Sequence, residues 1–321
     1  MLVFLTRRLL TLVLTLLAAS AVVFAVLDLL PGNAAQVLMG PDAAPEAVAA
    51  LAAQLGLDAP AWQRYTDWLS ALARADLGES YAYGEPVWDM LCERLALTLP
   101  LTLLALGLSC LLALPLGLYA AARQHQPADM ALSGLAQLGM AVPSFWLAIL
   151  LILLFSVHLQ WFAAGGFPGW TLAEGGGILP ALKALVLPAL ALAAVQTAIL
   201  ARMTRAAVLE VLGEDFIRTA RAKGLGQHAV LWGHALRNAL VPVLTLLGLQ
   251  FANLLAGAIV VENIFYLPGL GRLMFQAIAN RDLVLVRNGV LLLAALVIVV
   301  GFVVDVLHAL IDPRIQGRRK A

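Results

Sequence analysis

Charge is what this 321-residue chain has least of: only 12% of its residues are Asp, Glu, Lys or Arg, against 62% hydrophobic. Soluble domains carry roughly 25% charged residues, so the composition excludes a soluble globular protein. Cysteine is almost missing too. Cys92 stands ahead of an apolar run and Cys110 well inside it; at about 1.5 Å of rise per helical residue they are set far beyond the ~7 Å that a disulfide tolerates. Histidine is scattered, and His234 and His308 stand alone, as structural histidines do. The chain also lacks a His-Glu-x-x-His pair, a Gly-x-Ser-x-Gly turn, any Cys/His ligand spacing and a Gly-x4-Gly-Lys-Ser/Thr phosphate loop. No catalytic residue, metal ligand or cofactor site is therefore expected, and no ATP site of its own. Gly269-Leu-Gly271 is too short for a nucleotide fingerprint and reads as a turn before an amphipathic segment.

What the chain does have is long apolar runs. Six of them, near 9–30, 98–122, 131–157, 179–201, 239–261 and 288–311, approach or exceed the roughly 20 residues that cross a hydrocarbon core. None shows the period-2 alternation of a barrel strand. The fold class read from this is all-α: a polytopic membrane bundle of six transmembrane helices. Pro115, Pro143, Pro188 and Pro242 fall inside the runs and predict kinks, which packed neighbours tolerate. The first run is too long for a signal-peptide core of 7–15 residues and is expected to stay as a span.

The net charge of +1 says nothing about partners, and no nucleic-acid partner is expected; the distribution of basic residues says more. Cytoplasmic loops keep Lys and Arg. An N-terminus inside puts Arg7, Arg8, Arg123, Arg202, Arg205, Arg218, Arg221, Lys223, Arg237, Arg314, Arg318, Arg319 and Lys320 in the cytoplasm, 13 of the 20 basic residues. Both termini are thus expected there.

The predicted organisation is residues 1–30 with the first span, an extracytoplasmic cap over 31–97, a core over 98–311, and a basic tail over 312–321. In the cap, Trp62, Tyr65, Trp68, Leu69 and Leu72 recur at helical spacing after Leu55-Gly-Leu-Asp-Ala-Pro60, so two small amphipathic helices are expected. The cap is acid-rich and reads either as a solvated cover packed over the bundle or as a docking surface for an external partner. The Gly-rich loop 158–178, with Trp161 and Trp170, reads as a flexible lid or a plain connector.

The inner loop 202–238 stands apart. Its segment from Glu214 to Gly226 predicts an amphipathic helix with Asp215, Arg218 and Arg221 on the polar face and Phe216, Ile217 and Ala220 on the apolar one. Glu214 and Arg218 make an i,i+4 pair, Gly224 offers the left-handed residue that ends the helix, and Gly226 caps a second short helix from Gln227 to Arg237. This is either a compact knob for a protein partner or an interfacial helix on anionic membrane lipid. Among ionisable groups only Asp305 lies inside a predicted span, one turn from His308; it reads as a charge paired with His308 or a neighbouring helix.

The segments Arg218-Thr-Ala-Arg-Ala-Lys-Gly-Leu225 and His234-Ala-Leu-Arg-Asn-Ala-Leu-Val-Pro242 make the chain resemble the permease subunits of bacterial ABC importers for dipeptides, oligopeptides and nickel. The likeness also takes in Arg7-Arg8-Leu-Leu, Leu30-Pro-Gly, Leu55-Gly-Leu-Asp-x-Pro60, Asp76-Leu-Gly-x-Ser80, Pro143-x-Phe-Trp146, Pro268-Gly-Leu-Gly271 and Asp312-Pro-Arg-Ile315. In place of the general Glu-Ala-Ala signature of such permeases stands Arg218-Thr219-Ala220, as in the peptide and nickel branch. The resemblance implies a type I ABC importer permease fold in the bacterial inner membrane. It implies that Glu214, Asp215, Phe216, Ile217, Arg218, Thr219, Ala220, Arg221, Ala222, Lys223 and Gly224 form a coupling helix seated on an ATPase subunit. Its implied partners are two ABC ATPase subunits that bind ATP and Mg, a second homologous permease and an extracytoplasmic substrate-binding protein; transport is by alternating access. The cargo it implies is peptide, with a nickel chelate, glutathione or another small solute as the alternative. Ser144, Thr245, Gln250, Asn253 and Asp305 are the expected polar lining of the path. A membrane enzyme or scaffold with a protein-binding inner helix is the rival class.

Overall fold

The computed structural model describes residues 2–29, 34–40, 43–54 and 56–311. Leu30-Pro-Gly, Asp42, Leu55 and the tail 312–321, with Arg314, Arg318, Arg319 and Lys320, lie outside the described residues. The chain runs through α1 (Leu2–Asp28), the small helices α2 (Ala34–Met39), α3 (Pro45–Gln54) and α4 (Ala61–Ala73), then α5 (Val87–Ala122), α6 (Pro127–Ala141) and α7 (Ser144–Leu151). There follow α8 (Ile178–Leu212), α9 (Asp215–Ala222), α10 (Gln227–Ala229), α11 (Arg237–Ile264), α12 (Leu270–Ala279) and α13 (Leu283–Ile311). Among the described residues five helical stretches are long and apolar enough to span a membrane, and six if α6 and α7 count as one.

Two expectations drawn from hydropathy need correction. The 131–157 run is not one kinked helix: α6 and α7 meet at a 97° bend. Val142 precedes Pro143, and a pre-proline residue is pushed out of the helical region; Val142 is extended at φ −83°, ψ 120°. Pro100, Pro115, Pro188 and Pro242, by contrast, sit inside continuous helices. Helix α5 also starts at Val87 and not near 98, so Cys92 is helical and exposed; both cysteines are free. Apolar windows stop at charges, whereas helices continue through them. At 36 residues α5 is about 54 Å long at 1.5 Å per residue, well beyond a core of about 30 Å. Helix α8 likewise carries Arg202, Arg205 and Glu210 beyond its apolar stretch, as far as Leu212.

Helices α5 and α8 pack along each other and, with α11 and α7, enclose the main core around Leu101, Leu185, Leu254 and Phe265. Small residues permit the approach: a Cβ on Gly117 would collide with the Ala201 carbonyl and Thr204, the close contact that membrane helices favour. Helix α1 lies outside, against α13. The cap is tied to both. Tyr65 bonds Ser20 (2.9 Å), Arg64 pairs with Asp28 (2.6 Å), and the buried Trp68 indole donates to Asn288 (3.0 Å). Loop 158–178 is tied down as well, through the Trp170 indole to the Ala96 carbonyl and Gly166 N–H to the Phe265 carbonyl.

Near the opposite end Asp129, almost fully buried in the first turn of α6, takes two bonds from Arg205 of α8 (2.6 and 2.7 Å) and one from the His125 N–H. Breaking a buried bidentate pair strands a charge at a cost of about 3–5 kcal/mol. Asp129→Ala is therefore expected to lower the thermal unfolding temperature of the purified chain sharply, and Asp129→Ala with Arg205→Leu to recover part of the loss. Equal melting of wild type and Asp129→Ala would refute this.

Candidate functional site

The knob forms as the charge pattern suggests, with two differences. Glu214 is the extended residue before α9, Asp215 lies in the first turn and Arg221 in the last. Ile217, 0% exposed, and Ala220 pack into a cluster with Leu118 and Ala121 of α5, Ala207 and Val208 of α8, and Val230, Leu231 and Leu236 of the following segment. The apolar face thus seats α9 on the ends of three long helices. The outer face is open: Asp215, Arg218, Thr219, Arg221, Ala222 and Lys223 are exposed, and Phe216 projects at 43% exposure despite being apolar. This exposed ring is the first difference, because the expected apolar stripe splits into buried Ile217 and Ala220 and a presented Phe216. The second is the ion pair. Arg218 meets Asp215 at 3.2 Å and not Glu214. Glu214 has left the helical region, whereas Asp215 lies one turn from Arg218 on the same face. Both side chains are well exposed, so the pair contributes little stability.

Gly224 has φ +83°. Its N–H donates to the Arg221 carbonyl and that of Leu225 to the Ala220 carbonyl, closing the last turn in a Schellman-like cap. The second helix is not short. From Gln227 it widens over Val230–Leu236 and continues as α11 to Ile264. Asn238 covers the His234 carbonyl at 2.8 Å in that wide stretch. Nothing after Arg237 breaks the helix, since Pro242 is accommodated. The knob is therefore joined through the short linker Gly224–Gly226 to a helix that runs unbroken from Gln227 to Ile264.

Of the expected path residues, the structure brings two together. Ser144, at the start of α7, and Asn253 of α11 line a cavity of about 300 Å³ at the α6–α7 bend. Gln196 of α8 lines it as well; it is 7% exposed and its Oε1 has no hydrogen-bond partner among the described residues. Gln196 is missing from the sequence reading, since one glutamine in an apolar run gives no period to detect. Gln250 is buried outside this cavity, its Oε1 also without a partner among the described residues. Thr245 bonds His308 at 3.1 Å, and Asp305 pairs with Arg8 of α1 at 2.7 Å.

Asp305 is also not the only acid within a spanning helix. Glu262, in the last turn of α11, is 0% exposed. Its carboxyl group accepts the Thr98 hydroxyl (2.6 Å) and the N–H groups of Gly271 (2.7 Å) and Arg272 (3.2 Å), and Thr98 in turn accepts the Leu270 N–H (2.8 Å). It ties α5 and α11 to the start of α12. The available signal was an acid at the end of an apolar run followed by Gly-x-Gly, which alone reads as a turn.

Two family profiles match the chain. One, described as "Binding-protein-dependent transport system inner membrane component", covers residues 113–317, and its N-terminal counterpart covers residues 1–102. The chain is 42% identical over 336 residues to the Di/tripeptide transport system permease protein DppB of Pseudomonas aeruginosa, covering 99% of this chain and all of the relative. A putative peptide transport system permease protein of Brucella suis is 43% identical over 94% of this chain and 95% of its own. The Dipeptide transport system permease protein DppB of Escherichia coli is 38% identical over 99% of this chain and all of its own. With the helical bundle already described, these matches identify the chain as a member of the inner membrane component family of binding-protein-dependent transport systems.

Proposed function

We propose that the chain is a permease subunit of an ATP-driven importer that carries short peptides across the bacterial inner membrane by alternating access. The observation that carries the cargo is end-to-end similarity to relatives named for di/tripeptide, dipeptide and peptide transport. Two ABC ATPase subunits, a second homologous permease and an extracytoplasmic substrate-binding protein complete the machine, and ATP and Mg belong to the ATPases. Both termini lie in the cytoplasm, as does α9.

The geometry of α9 supports its role as the coupling helix. A coupling free energy passes between sites only through an element with defined arrangements in both states. Helix α9 has an anchored inner face and a presented outer one, and it ends next to the rod leading to Asn253. Phe216 supplies the apolar anchor for a groove on the ATPase, and Arg218, Arg221 and Lys223 its charge-assisted bonds. Further along that rod Asn253, with Ser144 of α7 and Gln196 of α8, offers neutral hydrogen-bonding groups to peptide amides passing the α6–α7 bend.

The test is gentle detergent extraction of tagged chain from its native membrane. A Walker-motif ATPase and a second six-span permease are expected to co-purify with wild type, and the ATPase to be depleted with Arg221→Glu. A chain that purifies alone in both forms would return α9 to a helix lying on lipid.

A further inference from the structure

We infer that the cleft between the cap and helices α1 and α13 is a binding site for a small zwitterion, with Arg287 holding its oxyanion end. The cleft encloses about 640 Å³ and is separate from the cavity at the α6–α7 bend. Two guanidinium groups line it, each over an aromatic ring: Arg64 with its central carbon 5.9 Å from the Phe24 centroid, and Arg287 with its own 4.6 Å from that of Trp68. Their circumstances differ. Arg64 is satisfied by Asp28 at 2.6 Å and by the Ala59 carbonyl at 3.0 Å. Arg287 has no carboxylate within ion-pair distance among the described residues, and its Nε is buried without an acceptor.

The neighbouring groups do not supply the missing charge. Asp282, just ahead of α13, spends its oxygens on the Ser80 hydroxyl and the N–H groups of Ala82 and Leu285. Tyr81, in the cleft wall, is pushed above the usual phenol range by burial, so it stays neutral. A largely desolvated cation without a counter-ion is costly, and stacking on Trp68 offsets only part of that cost. A carboxylate or phosphate group supplies the rest through charge-assisted bonds to the guanidinium. The cleft is not uniformly basic, however. Asp67, Asp76 and Glu79 line it as exposed carboxylates. They repel a ligand that is only anionic and attract an ammonium group. The chemistry that satisfies both ends is an oxyanion joined to an ammonium within one small molecule. A free short peptide has it, and so does the phosphoethanolamine headgroup of a lipid.

The test is calorimetric titration of the purified full-length chain with dialanine, with dialanine amide, with N-acetyl-dialanine and with glycerophosphoethanolamine, whose phosphodiester carries the single negative charge of the lipid headgroup. Dialanine or glycerophosphoethanolamine is expected to bind, and whichever binds more tightly identifies peptide or lipid headgroup as the source. If dialanine is the ligand, removing its carboxylate as the amide, or its ammonium by acetylation, is expected to weaken binding by at least about tenfold. Arg287→Gln is expected to lose the same factor for whichever zwitterion binds, and Arg287→Lys to keep part of it. Should Arg287→Gln fail to elute as a single species, the comparison of each zwitterion with its neutralised analogue on wild type decides, N-acetylated glycerophosphoethanolamine serving for the headgroup. Failure of both zwitterions to bind wild type overturns the assignment, as does unchanged binding to Arg287→Gln or equal binding of a zwitterion and its neutralised analogue.

Discussion

Replacing Gly224 by proline is expected to leave the chain inserted in the membrane while cutting ATP-driven peptide uptake by tenfold or more. Proline locks φ near −65° and has no N–H. Gly224 sits at φ +83° and its N–H closes the last turn of α9 on the Arg221 carbonyl. The replacement therefore opens the cap and swings the chain between α9 and the helix starting at Gln227. About 3 kcal/mol or more of local strain and lost bonding falls on that one joint. The spans themselves are untouched, because the core around Leu101, Leu185 and Phe251 lies elsewhere. Space is not the issue: a Cβ at Gly224 would meet nothing within 4 Å. Gly224→Ala therefore carries only the left-handed backbone penalty of about 1–2 kcal/mol, and Gly224→Asn less. Uptake is expected to fall in the order Gly, Asn, Ala, Pro, with ATP hydrolysis by the assembled complex persisting but no longer tied to cargo. The measurement is paired peptide uptake and phosphate release in reconstituted vesicles. Uptake by the proline variant at the wild-type rate would remove α9 from the coupling path.

The parts of this structure legible in the sequence are those written in repeated chemistry. Six apolar runs announce the bundle, and the periodic Trp62, Tyr65 and Trp68 announce the cap helix α4, which forms over Ala61–Ala73. The charges of 214–223, isolated in a chain so poor in charge, announce α9. Single residues carry no period and were missed or misplaced. The 97° bend depends on one pre-proline valine at 142, whereas the prolines at 100, 115, 188 and 242 sit inside continuous helices. Asp129 and Arg205, far apart in sequence, meet only because α6 lies against α8. Hydropathy assigned Glu262 to a loop because an acid ends an apolar window, although the helix runs two residues further. Gln196 became visible only once α8 had a rotation about its axis. In each case the deciding term is tertiary: it sets which face a lone polar residue turns to, and composition along one segment does not contain it.

A loss of stability as large as that of Asp129→Ala is expected from Glu262→Ala. Three donors converge on that carboxyl group, from Thr98, Gly271 and Arg272. Each buried donor left without a partner costs about 1–3 kcal/mol, and the methyl of alanine reaches none of them. A total of about 3–5 kcal/mol corresponds to a fall in unfolding temperature of about 4–7 °C for a chain of 321 residues. The two glycines supply an independent check. A Cβ on Gly269 would strike the Glu262 carboxyl group, and one on Gly271 would strike both it and the Ile259 backbone. Only glycine lets the turn close around the acid. Gly269→Ala is therefore expected to expel the carboxyl group and reproduce the loss. The double variant Glu262→Ala with Gly269→Ala should then be little worse than either alone, because both remove the same set of bonds. Glu262→Gln keeps one acceptor oxygen but turns an NH₂ toward a donor, and is expected to fall between. The functional consequence follows from position. Helix α12 packs against α5, α11 and α13, so releasing its first turn loosens the end of the bundle opposite the coupling helix. Thermal unfolding of the four variants in detergent, followed by peptide uptake of those that survive reconstitution, makes the measurement. Additive losses in the double variant would mean that the glycines serve the turn alone and the carboxyl group something else.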